Sequence, residues 1–518
     1  MAEAATNKGF LGWVEKTGNR LPDPVFLFFY LIIALMAISQ IAAWTSFSAP
    51  LVIESASLFS AENIQRLWVD MPKTFTHFHP LGYVLVVMLG AGVAERSGLF
   101  SSAIRAAVRN APKFLLTPLV ALVAMLSNHA ADAGYVVMIP LAGILFASAG
   151  RHPLAGIAAA FAGVSGGFSA NISPGQLDAL LFGITEAAYG ASNIDAGWTM
   201  NIAGNAYFIA ALLFIYLPVI WFVTDKIIEP RLGKWVPSPE SAVQAGDEDK
   251  PLTAEQQKGL RMAGLALLGV CALWAFMTFG PGTPLLADGP GTEGNPWYQK
   301  AGPFFRSLVA GFLVLFLAAG WAYGAAANTI NNHRDLVNMM AEAMKDMGYY
   351  LVLAFAAAHF VAMFGWSNLG LISAVHGADA IQNSGLPLPI VLGLIVLFSA
   401  LLNLFVGSAS AKWALLAPVL VPMLMLLGIS PEGATAAYRV GDGATNIITP
   451  LMVYFPLILV FARRWQTDFG LGSLTAMMIP YSVWMLITGV ALMMGWIFLG
   501  LDFGFGAPAH ITVPGAGG

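Results

Sequence analysis

The chain is 518 residues long with a formal net charge of −4; only 10% of its side chains are charged and 58% are hydrophobic. Soluble globular chains carry about 25% charged residues, so this one cannot cover a water-exposed surface. Its repeated apolar runs of about 20 residues indicate a polytopic helical membrane protein and exclude an outer-membrane barrel. The acidic balance leaves no footprint for nucleic acid, and the single cysteine, Cys271, excludes an internal disulfide or a thiol cluster.

A polar start (residues 1–23, with Lys8, Lys16 and Arg20) precedes the first apolar run, Pro24–Trp44. That run is longer than the roughly 7–15 residues of a secretory signal core, which predicts a retained helix. Spanning runs follow at 80–98, 152–185, 200–224, 258–280, 303–324, 347–365, 431–462 and 474–500, predicting nine transmembrane helices. Residues 24–98 (helices 1 and 2) and 258–346 (helices 5 and 6 with a surface helix) are expected to form a scaffold.

Region 113–150 holds two apolar arms, 114–126 and 134–149, around the polar tip Ser127–Asp132. At 1.5 Å per residue the first arm reaches only about 20 Å, against a hydrocarbon core of about 30 Å. A re-entrant hairpin is predicted there, and a second at 387–428 around the tip Gly407–Lys412. Residues 97–110 read as a surface-lying helix, and 225–257 as a cytoplasmic linker ending in a Thr253/Gln256 capping box. Residues 347–384 read as helix 7 with its connection, and 501–518 as a periplasmic tail.

With the N-terminus inside, 18 of the 24 basic residues fall on cytoplasmic segments and four (Arg66, Lys73, Lys300, Arg306) outside. That asymmetry supports the orientation. The chain also repeats itself. Gly82–Val87 echoes Gly348–Leu353, Tyr135–Pro140 echoes Trp413–Pro418, and Gly166–Ile172 echoes Gly441–Ile447, in the same order. In this orientation the two units start on opposite sides. An inverted-topology repeat is the expected result, the architecture of many secondary transporters.

Four polar clusters fall at membrane depth: the two hairpin tips and two expected helix breaks, Ser165–Pro174 and Arg439–Pro450. Unwound backbone is tolerated there only inside protein or beside a cavity. Its carbonyls, with Asn and Ser oxygens, suit Na⁺, and half-helix N-termini suit a carboxylate. Ser127, Asn128, Asn171, Ser408, Ser410, Asp442 and Asn446 are therefore candidate contacts for an ion or polar substrate, with Na⁺ placed near Asn128, Asn171, Asp442 and Asn446. Arg439 and Asp442, three apart, can share a helix face and pair. Asp178 can carry a coupling proton or pair with Arg439. Lys412 can snorkel or meet an anion, and Trp413 can stack on an aromatic substrate or simply pack. Gly163–Gly167 matches a G-x-S-x-G nucleophile elbow, but within a membrane span, and there is no Walker A motif. Neither an enzyme nor an ATP-driven pump is expected, and no cofactor beyond a coupling ion.

The tip Ser127-Asn128 with Gly134–Pro140, the segment Ser165–Asp178, the run Arg439–Asn446 and Met477–Ser482 together resemble the AbgT family of p-aminobenzoyl-glutamate transporters, over residues 10 to 500. The resemblance implies a homodimeric, multi-pass carrier of the bacterial inner membrane with nine helices and two opposed hairpins. It places the family's functional positions on Asp178, Ser410, Trp413, Pro431, Arg439, Asp442 and Pro450. The function it implies is cation-coupled (H⁺ or Na⁺) transport of p-aminobenzoyl-glutamate and related aminobenzoates, small aromatic anions. Proton-motive-force-driven export of sulfonamides and p-aminobenzoate is the alternative, and a Na⁺-coupled dicarboxylate carrier a more distant one.

Overall fold

Proline and short polar caps open many of the helices. α1 (Pro24–Trp44) starts with Pro24 at a position that needs no amide hydrogen, while Asp23 accepts the Val25 N–H at 2.8 Å. This geometry comes from a computed structural model, which describes residues 23–49, 53–108, 112–130, 134–192, 194, 198–235, 251–287, 297–449 and 451–513. Among these residues the only strands are the two-residue pair Ser48–Ala49 and Ile53–Glu54. The protein is an all-α membrane protein.

α2 (His79–Arg96) and α3 (Leu99–Val108) meet at a 65° bend around Gly98, whose positive φ a side chain would strain. The expected surface helix at 97–110 is thus partly packed: Phe100 and Ile104 are buried, with Phe100 edge-on to Phe316. α4 (Leu116–Leu126) and α5 (Ile139–Ser148) are short arms about the first tip. α6 (Pro153–Phe161) continues through a π turn to Gly166, gives way to irregular chain, and resumes as α7 (Gln176–Ala191). α8 (Ala206–Val223) runs on through a second π turn to Leu232. The Thr253/Gln256 capping box is present at the start of α9 (Ala254–Phe279), with bonds of 3.1 and 3.2 Å.

α10 (Gly302–Ala326) packs on α2 and α9, and α11 (His333–Asp346) closes against α2 through the Arg96–Asp346 ion pair. α12 (Gly348–Trp366) and α13 (Leu369–Asn383) lead into the second half. Its order repeats the first: two arms, α14 (Leu388–Asn403) and α15 (Ala409–Leu426), then α16 (Pro431–Asn446) and α17 (Phe455–Arg463), with α18 (Leu471–Leu499) last.

Among the described residues seven helices are long and apolar enough to cross a bilayer: α1, Ala206–Leu232, α9, α10, α12, α15 and α18. Six coincide with predicted spans. Run 80–98 is bent with α3 into one pair, and runs 152–185 and 431–462 are each divided into shorter helices. α15 was expected as a short hairpin arm, yet has 18 residues.

The second break also differs from expectation. α16 ends at Asn446 and α17 begins at Phe455, so the run Arg439–Asn446 expected to unwind is helical. Its charges find partners on neighbouring helices, so nothing requires the backbone to open. Every residue of α16 is buried. Close approach is what its glycines permit: a Cβ on Gly441 would stand 2.1 Å from the Val396 carbonyl oxygen of α14. Gly441→Ala is expected to cost on the order of 1–3 kcal/mol by overpacking, read as a lower thermal midpoint in detergent. An unchanged midpoint would mean that α14 can give way.

The segment after α18 is folded rather than trailing. The Tyr207 and Phe208 amides both donate to the Phe503 carbonyl at 3.0 Å, and Ile511 N–H donates to Gly428 O at 2.8 Å. It thereby holds the starts of α8 and α16 side by side.

Candidate functional site

α16 is the axis of the site. One turn of it presents Arg439 toward α7 and Asp442 toward α15, and both are buried. Arg439 Nη1 donates to Asp178 Oδ1 at 2.8 Å. The second oxygen of Asp178 accepts the Gly175 N–H at 2.8 Å, so the aspartate also caps the helix that resumes after the first break. Asp442 pairs with Lys412 instead, whose ammonium also meets Asn403 Oδ1. The expected Arg439–Asp442 pair does not form. An i,i+3 pair on a helix surface is worth a few tenths of a kcal/mol, whereas an uncompensated buried charge costs several, so each charge turns to an opposite charge on a neighbouring helix.

Two polar atoms in this cluster remain without partners, Arg439 Nε and Asp442 Oδ2. Buried atoms of that kind are where a ligand or water has something to gain.

Trp413 follows Lys412 on α15 and is buried with it. Its ring stacks on Tyr438 at 4.7 Å between centroids, and its Nε1–H donates to Thr185 Oγ1 at 2.9 Å. Thr185 in turn meets Thr435 at 2.8 Å, and Tyr438 OH donates to Ala409 O at 2.6 Å. Trp413 has no exposed surface, so the ring packs in this conformation and its stacking face is taken. Trp413→Ala should cost about 3–5 kcal/mol and Trp413→Phe about 1 kcal/mol, measured by thermal unfolding; equal losses would show that the indole bond and not the ring sets the cost.

The remaining candidates fall into two groups. At the first tip, Asn171 donates to His129 Nδ1 at 3.0 Å, leaving His129 Nε2 to face Ser173 Oγ at 2.8 Å. Asn128 donates to Met125 O at 2.9 Å, and Ser127 to Ala124 O at 2.6 Å. At the second, Ser408 caps α15 by accepting Ala411 N–H at 3.3 Å and lies 3.3 Å from Ser410. Asn446 Oδ1 accepts from Asn403 Nδ2 at 2.8 Å. Of the four positions expected near Na⁺, Asn128 and Asn171 are bonded at the first tip and break, and Asp442 and Asn446 lie on α16. Beside Asp442, Lys412 already supplies the positive charge. Among the described residues no three of His, Cys, Asp and Glu gather as a metal site. Pro431 opens α16, while Pro450 and Asp132 lie outside the described residues.

Sequence reasoning missed Asn403 and Tyr438, which bond the Lys412–Asp442 pair, Thr185 and Thr435, which bond beside Trp413, and Glu432, buried in the first turn of α16. Each is a polar residue in or beside an apolar run, the signal that found the others.

The model of the AbgT transporter family matches residues 9–511. The chain belongs to the AbgT family. Like the family at large it is a membrane transporter and not an enzyme. It is 36% identical over 503 residues, 96% of both chains, to the p-aminobenzoyl-glutamate transport protein of Escherichia coli K12. Among solved structures, the YdaH transporter of Alcanivorax borkumensis, described as having an unusual topology, is 41% identical with a TM-score of 0.85 over 93% of this chain and all of that one. MtrF of Neisseria gonorrhoeae, described within a class of antimetabolite efflux pumps, is 40% identical with a TM-score of 0.88 over 98% of this chain and all of MtrF. AbgT membership thus agrees with the resemblance carried by Ser127–Pro140, Ser165–Asp178 and Arg439–Asn446.

Proposed function

We propose that this AbgT protein is a secondary transporter that carries p-aminobenzoyl-glutamate and related aminobenzoates across the bacterial inner membrane, coupled to H⁺ or Na⁺. The observation that carries the reading is the buried Asp178–Arg439 pair, which joins the restart of the first broken segment to the helix of the second. A guanidinium held at that depth offers two-pronged recognition to a carboxylate. The whole-length relative in Escherichia coli supports the substrate class. Export of sulfonamides and p-aminobenzoate is the second reading, supported by the likeness to MtrF.

In this reading the arms α4/α5 and α14/α15 act as opposed re-entrant hairpins and move against a scaffold of α1, α2, α9 and α10. The N-terminus is cytoplasmic, the C-terminus periplasmic, and the protein a homodimer. α9, with Leu265, Leu268 and Phe276 exposed, has an apolar face to offer lipid or a second copy. Purified protein in proteoliposomes, given H⁺ and Na⁺ gradients separately, decides the matter with labelled p-aminobenzoyl-glutamate and a labelled sulfonamide followed in both directions. Saturable flux driven by one gradient is expected. Flux that never saturates, or none under either gradient, would overturn the reading.

A further inference from the structure

Glu432 stands apart from the paired charges. It lies in the first turn of α16 and is almost completely buried. Its Oε2 accepts the Trp198 indole N–H at 3.2 Å, and its Oε1 has no partner. Gly204 presses on its stem so closely that a Cβ there would stand 2.7 Å from Glu432 Cγ.

No cation answers this carboxyl among the described residues. Of the elements packed on α16, α14 carries no titratable side chain. α15 brings Lys412, committed to Asp442, and α7 brings Asp178, committed to Arg439. α7 also carries Glu186, which accepts from Tyr83, and Tyr189, whose hydroxyl accepts the Trp198 backbone N–H. α18 carries Tyr481, bonded to Thr224, and the closing segment brings Asp502 and His510, the latter facing Ile497 O at 3.2 Å. On α16 itself Tyr438 is turned to Ala409 and Asp442. The positive end of the helix favours an anion in its first turn, but only weakly compared with the cost of burying a lone charge. In this geometry no neighbouring charge balances a carboxylate at Glu432, and its partnerless Oε1 is the oxygen open to a proton.

A route to that proton is at hand. Two adjoining cavities of about 480 and 330 Å³ share the wall Trp198, Thr199, Met200, Asn201, Phe305 and Arg306. Trp198 is thus both the lining of the cavities and the donor to Glu432. We propose that Glu432 is a proton-carrying group of this transporter, loaded and unloaded from the vestibule behind Trp198. This rests on the cation-coupled reading and names its ion as H⁺: the O–H bond of the acid breaks to vestibule water when Trp198 moves aside, and re-forms when the site closes.

The test uses full-length protein in proteoliposomes with labelled p-aminobenzoyl-glutamate as probe. Glu432→Gln keeps the shape and an acceptor for the indole. It should exchange internal for external probe normally, yet lose pH-gradient-driven accumulation by about tenfold or more. Trp198→Phe, which removes the donor but not the ring, should displace the midpoint of the pH profile. Infrared difference spectra between acid and alkaline samples should show a buried carboxylic C=O band in the wild type that Glu432→Gln lacks. Undiminished accumulation by Glu432→Gln, or an identical infrared band in both proteins, would overturn the proposal. Wild-type exchange with no response to a pH gradient would overturn it while leaving the carrier reading intact. No probe movement under any gradient would remove both.

Discussion

Arg439→Ala is expected to abolish gradient-driven accumulation of p-aminobenzoyl-glutamate and to lower the unfolding free energy by roughly 3–5 kcal/mol, the cost of leaving a buried charge alone. Asp178 would keep only the Gly175 amide as a partner. The double change Asp178→Asn with Arg439→Gln removes both charges at similar volume, so it should regain most of that stability. Transport should stay absent in it, because no guanidinium remains to hold an anion. Denaturation in detergent alongside flux in proteoliposomes separates the two effects. Wild-type flux in the double variant would take the pair out of the mechanism. Arg439→Lys is informative as well: an ammonium is a point charge and cannot reproduce the planar fork, so a partial recovery of stability without transport is expected.

Lys412→Met should be comparably damaging, again roughly 3–5 kcal/mol. Asp442 would retain the Tyr438 hydroxyl at 3.2 Å on one oxygen and nothing on the other. Asn403 would lose the donor to its Oδ1, although its own amide still reaches Asp442 O at 2.7 Å. Adding Asp442→Asn removes the orphaned charge and should recover stability, which thermal unfolding reads directly. If the double variant is no more stable than Lys412→Met alone, the network around Asn403 and not the charge is what matters.

Much of this was legible in the residues. Apolar run lengths located α1, α9, α10, α12 and α18 to within a few positions, because bilayer thickness fixes how long such a run must be. Charged residues inside apolar runs identified Asp178, Lys412, Arg439 and Asp442, since lipid makes them too costly to be incidental. The Asp178–Arg439 pair was among the readings the residues allowed, whereas the partner of Asp442 was not legible. Arg439 and Asp442, three apart, lie only about 60° apart around α16, and it is the packing of α16 against both α7 and α15 that gives each a different partner. The position of the second break was missed for a related reason. Gly441, Gly443 and Asn446 look like helix breakers when read alone, yet here the glycines give room to α14 and to Gly166 O, and Asn446 is held by Asn403. Trp413 read equally well as ligand platform or as packing, and it is Tyr438 that fills its face.

The two ion pairs differ in what they connect. Lys412 and Asp442 both belong to the second half of the chain and can travel as one body. Asp178 and Arg439 come from different halves, so the bond between them works as a latch: prising α7 from α16 strands two opposite charges in a dry place. In the proposed carrier reading the latch opens cheaply only when both vacated charges are answered, with an anion on the arginine together with a proton on the aspartate. An empty protein would then stay shut, and leakage of ions without cargo would be suppressed by the same contact that greets the cargo.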